Sequence, residues 1–121
     1  MKRDMDLIRK ILLKIEEYDG DDPLQNIQIE GHTEEDIAYN IYLLENAGLI
    51  EGKTLFGMAS VKPAGYAIFR LNWKGHEFLD ASRDEKRWKQ AKEIMGKLGG
   101  ASLDVVMVIL TELMKKQVMG I

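Results

Sequence analysis

Between Ile37 and Ile50 the chain reads IAYNIYLLENAGLI. Ile37, Ile41, Leu44 and Gly48 fall at i, i+4, i+7 and i+11, so three branched apolar side chains share one face of a helix and a glycine follows them. Glycine at that point is the usual residue for the left-handed turn after a helix, which places the helix end near Ala47. Whatever else the chain does, it must bury this stripe. No catalytic or metal-binding pattern overlaps it.

The remaining composition narrows the class. At 121 residues, the chain fits one domain, residues 1–121, and a domain of that size buries roughly two-thirds of its unfolded surface. No apolar run approaches the twenty or so residues that a membrane span needs. The opening MKRDMDLIRK has no signal-peptide core, so a cytoplasmic protein without a membrane partner is expected. There is no cysteine, which excludes disulfides, thiol catalysis and cysteine-based zinc sites. His32 and His76 are the only histidines. Residues 1–52 hold 5 Lys+Arg against 13 Asp+Glu, a balance of −8, whereas residues 53–121 hold 12 against 7, a balance of +5. Such a dipolar chain bears on partners and association rather than on fold; attraction between the two halves is the simpler explanation.

Along the chain, Met5, Ile8, Leu12 and Ile15 predict a helix from Asp4 to Tyr18, with Arg9, Lys10, Lys14, Glu16 and Glu17 on its wet side. Asp19-Gly20-Asp21-Asp22-Pro23 ends it. Alternation of Ile27 and Ile29 with polar neighbours predicts a strand from Asn26 to Glu30. Thr33 caps the next helix, with Asp36 three positions on. A hairpin follows, Thr54 to Met58 and Tyr66 to Leu71, joined through Ser60 and Pro63-Ala64-Gly65. Asn72 caps a long helix that begins near Trp73, carries Phe78, Leu79, Trp88, Ala91, Met95 and Leu98 inward, and has break points at Ser82 and Asp84. Gly99-Gly100 separates it from a last helix, Ser102 to Val118. The expected architecture is α+β: a three-stranded antiparallel sheet packed on helices within residues 1–72, then two C-terminal helices in residues 73–121.

NIYLLENAGLIEG resembles the end of the recognition helix in winged helix-turn-helix regulators, and FRLNWKGHEFL resembles the signature that follows their wing. Over nearly its whole length, from MKRDMDLIRKIL through GHEFLD to GGASLD, the chain also resembles a bacterial and prophage family known only as domain of unknown function number 2513. The resemblance implies a winged-helix-like fold and a phage or prophage context, and brings no activity with it. Two departures stand out. The interval between Ile29 and Thr33 leaves no room for the scaffold helix of a regular helix-turn-helix, unless Pro23 to Asn26 forms an irregular turn in its place. The outward positions of the recognition-like helix are Ala38, Tyr39, Tyr42 and Leu43, with Tyr39, Asn40 and Asn46 the neutral hydrogen-bonding groups. No Lys or Arg occurs from His32 to Ile50, while Glu34, Glu35, Asp36 and Glu45 carry the wrong sign for a polyanion.

Other candidates are local. His76 and Asp80 sit four apart on a helix beside Glu77, but a zinc site takes three or four ligands and none further is implied. Gly96 to Ser102 has the residue types of a phosphate loop in the wrong order, and reads as a helix-to-helix turn. Arg83, Lys86, Arg87, Lys89 and Lys92 surround Trp88. They are either a nucleic-acid patch, joined by Lys53, Lys62 and Arg70 on the wing, or a solvated face with Trp88 in the core. In the last helix Leu103, Val106, Met107, Leu110, Leu113 and Met114 form one face, and Val105, Val108 and Ile109 spread round to the other. Either neighbouring elements cover both sides, or Val105, Val106, Val108, Ile109 and Leu113 form a dimer interface.

The expectation is a non-enzymatic winged-helix-like interaction module without cofactor or metal, associating with itself or another protein. The alternative is a regulator that binds double-stranded DNA, through Lys53, Lys62, Arg70, Arg83, Lys86 and Arg87.

Overall fold

A computed structural model describes residues 1–120. The chain forms two compact units, Met1–His76 and Glu77 onward. The first holds α1 (Met5–Glu17), α2 (Glu34–Asn46), β1 (Ile50–Phe56) and β2 (Pro63–Leu71); α3 (Trp73–Ser82) begins in it and runs into the second, which adds α4 (Glu85–Lys97) and α5 (Leu103–Met119).

Each helix starts where its cap residue is. Asp4 accepts from the amides of Asp6 and Leu7, Thr33 from Asp36, Asp84 from Arg87 and Ser102 from Val105, so one or two of the otherwise orphaned N–H groups at each start have a partner. The α2 end is a Schellman turn. Gly48, at φ 80°, lets its own amide reach Glu45 O at 3.1 Å and the Leu49 amide reach Leu44 O at 3.0 Å. That turn sends Leu49 and Ile50 straight into the core, where they join Leu7, Ile11 and Leu12 of α1, and Ile37, Ile41 and Leu44 of α2.

The sheet is smaller than expected. β1 and β2 pair antiparallel, with Ile50 opposite Leu71, Gly52 opposite Ile68 and Thr54 opposite Tyr66, and with a bulge between Glu51 and Gly52 that leaves Phe69 as the extra residue. The strand expected over Asn26–Glu30 does not form. Among the described residues outside the hairpin only Leu24 bridges to β2, exchanging both backbone bonds with Ile68 at 2.9 Å. Three residues on, the Ile27 amide donates to the Tyr66 hydroxyl at 2.7 Å, a side-chain partner in place of a backbone one. The scaffold helix is absent as well; bends and the Leu24 bridge occupy that interval.

The start of α3 is built against the Gly48 turn. The Asn72 amide donates to Leu49 O, its side-chain nitrogen donates to Gly48 O, and its side-chain oxygen accepts from the Gly75 amide at 3.1 Å. Gly75 packs so closely on this turn that a Cβ there would overlap the Leu49 carbonyl oxygen. Asn72 and Gly75, two residues of the NWKGHEFL string, thus hold the helix entrance to the turn that ends α2.

In the second unit the long helix breaks between Ser82 and Glu85, at the expected positions, and Trp88 is buried edge-on against Phe78 with ring centroids 6.0 Å apart. Leu98, expected inward, is exposed, because it is the C-cap of α4 and the Gly99-Gly100 turn begins there. Val106 and Leu110 are the buried residues of α5.

Candidate interaction surfaces

The outward face of the recognition-like helix differs from the expected one. Ala38 and Asn40 are buried. Asn40 accepts from the Asp4 amide at 2.9 Å, and donates to Asp36 O at 2.9 Å and Lys2 O at 3.2 Å, so it latches the N-terminal strand of chain that caps α1 onto α2. What α2 shows to solvent is aromatic and acidic. Tyr39 lies 6.2 Å from Tyr42, which meets Phe56 of β1 edge-on at 5.5 Å. Glu45 accepts from the Thr54 hydroxyl at 2.6 Å.

The six basic residues put forward for nucleic acid fall three in each unit. In the first, Lys62 pairs with Glu35 at 3.0 Å and Arg70 with Glu51. Lys53 is exposed on the outer face of the hairpin, beside Glu51 and Leu55. In the second, Arg83 pairs with Asp80 at 3.2 Å. Arg87 turns inward, donating to Ala81 O at 2.7 Å, Asp80 O at 3.2 Å and Gln117 Oε1 at 2.6 Å. A guanidinium that closes the carbonyl end of α3 and reaches α5 is a structural tie. Lys86 is exposed, and Trp88 belongs to the core.

The apolar candidates on α5 divide by side. Val106 lies inside and is unavailable to a partner, whereas Val105 is 41%, Val108 61% and Met119 67% exposed, with Ile109 and Leu113 half-buried between. Along another side of α5, Met107, Met114 and Val118 join Ala81 of α3 around an open cleft of about 510 Å³ with Glu77 and Asp80 at its rim. His76 is exposed.

Tyr66 ionises above its ordinary value. Half-burial raises its pKa, the Ile27 amide that donates to its oxygen opposes that, and the negative charge of Glu34 adds to it. Its role is to stay neutral and accept a backbone bond. The sequence marks Asn40 as a hydrogen-bonding group but not as a latch, and gives Tyr66 no role, because the partners that define them lie 36 and 39 positions away.

Helix, bridge, helix, hairpin and helix in this order make an α+β protein with a winged-helix-like arrangement. The chain belongs to the family described as "Hypothetical protein (DUF2513)", whose profile matches residues 2–102. It is 36% identical over 108 residues to an uncharacterized protein of Haemophilus influenzae, covering 88% of this chain and 89% of that one. No solved structure matches. Among the described residues no helix is long and apolar enough to cross a membrane.

Proposed function

We propose that the protein is a non-enzymatic, winged-helix-like interaction module of the bacterial or prophage cytoplasm that associates with itself through α5. The observation that carries this reading is the side of α5 opposite Val106 and Leu110. There Val105, Val108, Glu112, Lys115 and Met119 follow a 3-4-3-4 spacing, and the three apolar members are exposed. That spacing is the seam by which helices pair along their length. Glu112 and Lys115 hold each other at 3.6 Å, so the polar members of the seam are partnered within the helix. Sedimentation of wild type and of Val105→Glu with Val108→Glu tests it. Both valines are exposed, so the variant keeps its fold; it is expected to lose the association made through α5 and to sediment as a smaller species than wild type at the same concentration. A wild-type monomer at high micromolar concentration refutes the reading.

Duplex DNA is the second reading, favoured by the exposed Lys53 and Lys86. Against it, α2 carries Glu34, Glu35 and Asp36 in its first turn, and Lys62, Arg70, Arg83 and Arg87 already have partners. Phosphate contacts release counterions only where cations are free to make them. A titration against duplex DNA over a salt series distinguishes the two: binding by wild type at low salt, lost in Lys53→Ala with Lys86→Ala, supports the DNA reading.

A further inference from the structure

The hairpin has one covered edge and one open edge, and the bonds at Leu24 determine what the open edge presents. Ile68 gives both its N–H and its C=O to Leu24. It therefore has neither left for β1, and the Gly52–Ile68 pair is a non-hydrogen-bonded one. Gly52 consequently points its own N–H and C=O away from β2. Backbone alternation gives Ile50 and Thr54 the same direction, while Glu51 and Lys53 bond inward. Among the described residues, no backbone group outside the hairpin bonds to Ile50–Phe56. The bulge lies on β2, so β1 itself is regular, and a regular unpaired edge is a template for another strand.

We infer that the open edge of β1 pairs antiparallel with β1 of a second copy about a two-fold axis at Gly52. In that register the two Gly52 residues exchange backbone bonds, Ile50 bonds with Thr54 of the other copy, and Glu51 stands opposite Lys53 twice, on the solvent face. The Glu51–Lys53 pairs fall at the non-hydrogen-bonded positions, where side chains come closest. The neighbouring two-fold registers are disfavoured by charge. Moving the axis to Glu51 sets the two Glu51 side chains face to face, and moving it to Lys53 does the same with lysines. The strand Glu51-Gly52-Lys53 is therefore its own antiparallel complement in one register only. Among the described residues Lys53 has no acid of its own, and across the interface it gains one. This edge lies in the first unit and the α5 seam in the second, so the two associations are separate.

The test uses the full chain with Val105→Glu and Val108→Glu, which removes the α5 seam, alongside wild type. Added to that background, Lys53→Glu makes the edge acidic at both positions, and Glu51→Lys makes it basic at both. Each is expected to weaken self-association by roughly tenfold or more. An equimolar mixture of the two is expected to form a one-to-one complex, since every cross-strand pair then has opposite signs. Glu51→Lys also removes the partner of Arg70, so hydrogen exchange on the unaltered edge gives an independent reading: the Gly52 and Thr54 amides should gain protection as concentration rises. A mixture that stays monomeric, with Gly52 and Thr54 exchanging equally at low and high concentration, overturns the inference. If wild-type assembly is indifferent to the valine changes while the charge mixture associates, the α5 reading fails and the edge stands.

Discussion

Replacing Asn40 by alanine removes three hydrogen bonds at once. The Asp4 amide loses its acceptor, and the Lys2 and Asp36 carbonyls lose donors. Lys2 is exposed and Asp36 keeps its place in the helix ladder, so water or existing bonds offset part of that loss. The Asp4 amide is different. It belongs to the residue that caps α1, and it is half-buried, so fraying α1 is its route back to water. The one bond that water does not replace, a net ~1 kcal/mol, plus about 1–2 kcal/mol for a half-buried donor left alone, gives about 2–3 kcal/mol in all. For a unit of this size that corresponds to a fall in melting temperature of roughly 10–20 °C. Thermal and urea unfolding followed by circular dichroism measure the total, and hydrogen exchange along α1 shows where it falls: Leu7 and Ile8 amides should lose protection before those of α5. Asn40→Asp keeps the acceptor and loses both donors, and should cost at least as much because the carboxylate faces two carbonyl oxygens. The neighbouring Tyr39→Ala should cost well under half as much. An Asn40→Ala protein within about 0.5 kcal/mol of wild type would refute the latch.

Three further outcomes are expected. Gly75→Ala forces a methyl into the Leu49 carbonyl and should destabilise the first unit by about 1–3 kcal/mol, seen as a lower urea midpoint with an unchanged slope. Tyr66 should ionise above the ordinary tyrosine value in an alkaline absorbance titration, with Tyr66→Phe deleting that late phase. Because its folded pKa is raised, the folded state holds the proton longer; the stability this group contributes is complete below the ordinary tyrosine value and is lost as pH rises from there through the raised folded value. Arg87→Ala should lower the stability of the second unit by roughly 1–2 kcal/mol, and Arg87→Lys should not restore it, since one ammonium cannot reach Ala81, Asp80 and Gln117 together; unchanged melting of Arg87→Ala, with a loss of DNA affinity, would return Arg87 to the surface.

Local chemistry made the helices legible. Asp4, Thr33, Asp84 and Ser102 act within three residues of themselves, and Gly48 acts within five, so a one-dimensional reading finds them. Two elements failed for the opposite reason. The strand expected at Asn26–Glu30 depends on whether β2 offers it backbone partners, and the Tyr66 hydroxyl takes the Ile27 amide instead. Arg9 reads as a wet-side residue by type, yet it is buried, which its residue type and its position on the helix do not reveal.

The interaction surfaces were legible in kind but not in place. A helix as apolar as α5 must meet something on more than one side, and that much follows from its residues. Which side is already covered does not: Val105 and Val106 are neighbours in sequence, of the same type, and on opposite sides of the unit's surface. The basic residues show the same limit. Their number predicts a cationic patch, but Arg87 faces carbonyls, and Lys62 and Arg70 face acids on other elements, so the count overstates the charge left for a partner. The β1 edge goes furthest beyond the sequence. Glu51-Gly52-Lys53 becomes self-complementary only once the direction of the Gly52 backbone is known, and that direction depends on two hydrogen bonds that Leu24 makes on the far side of the neighbouring strand.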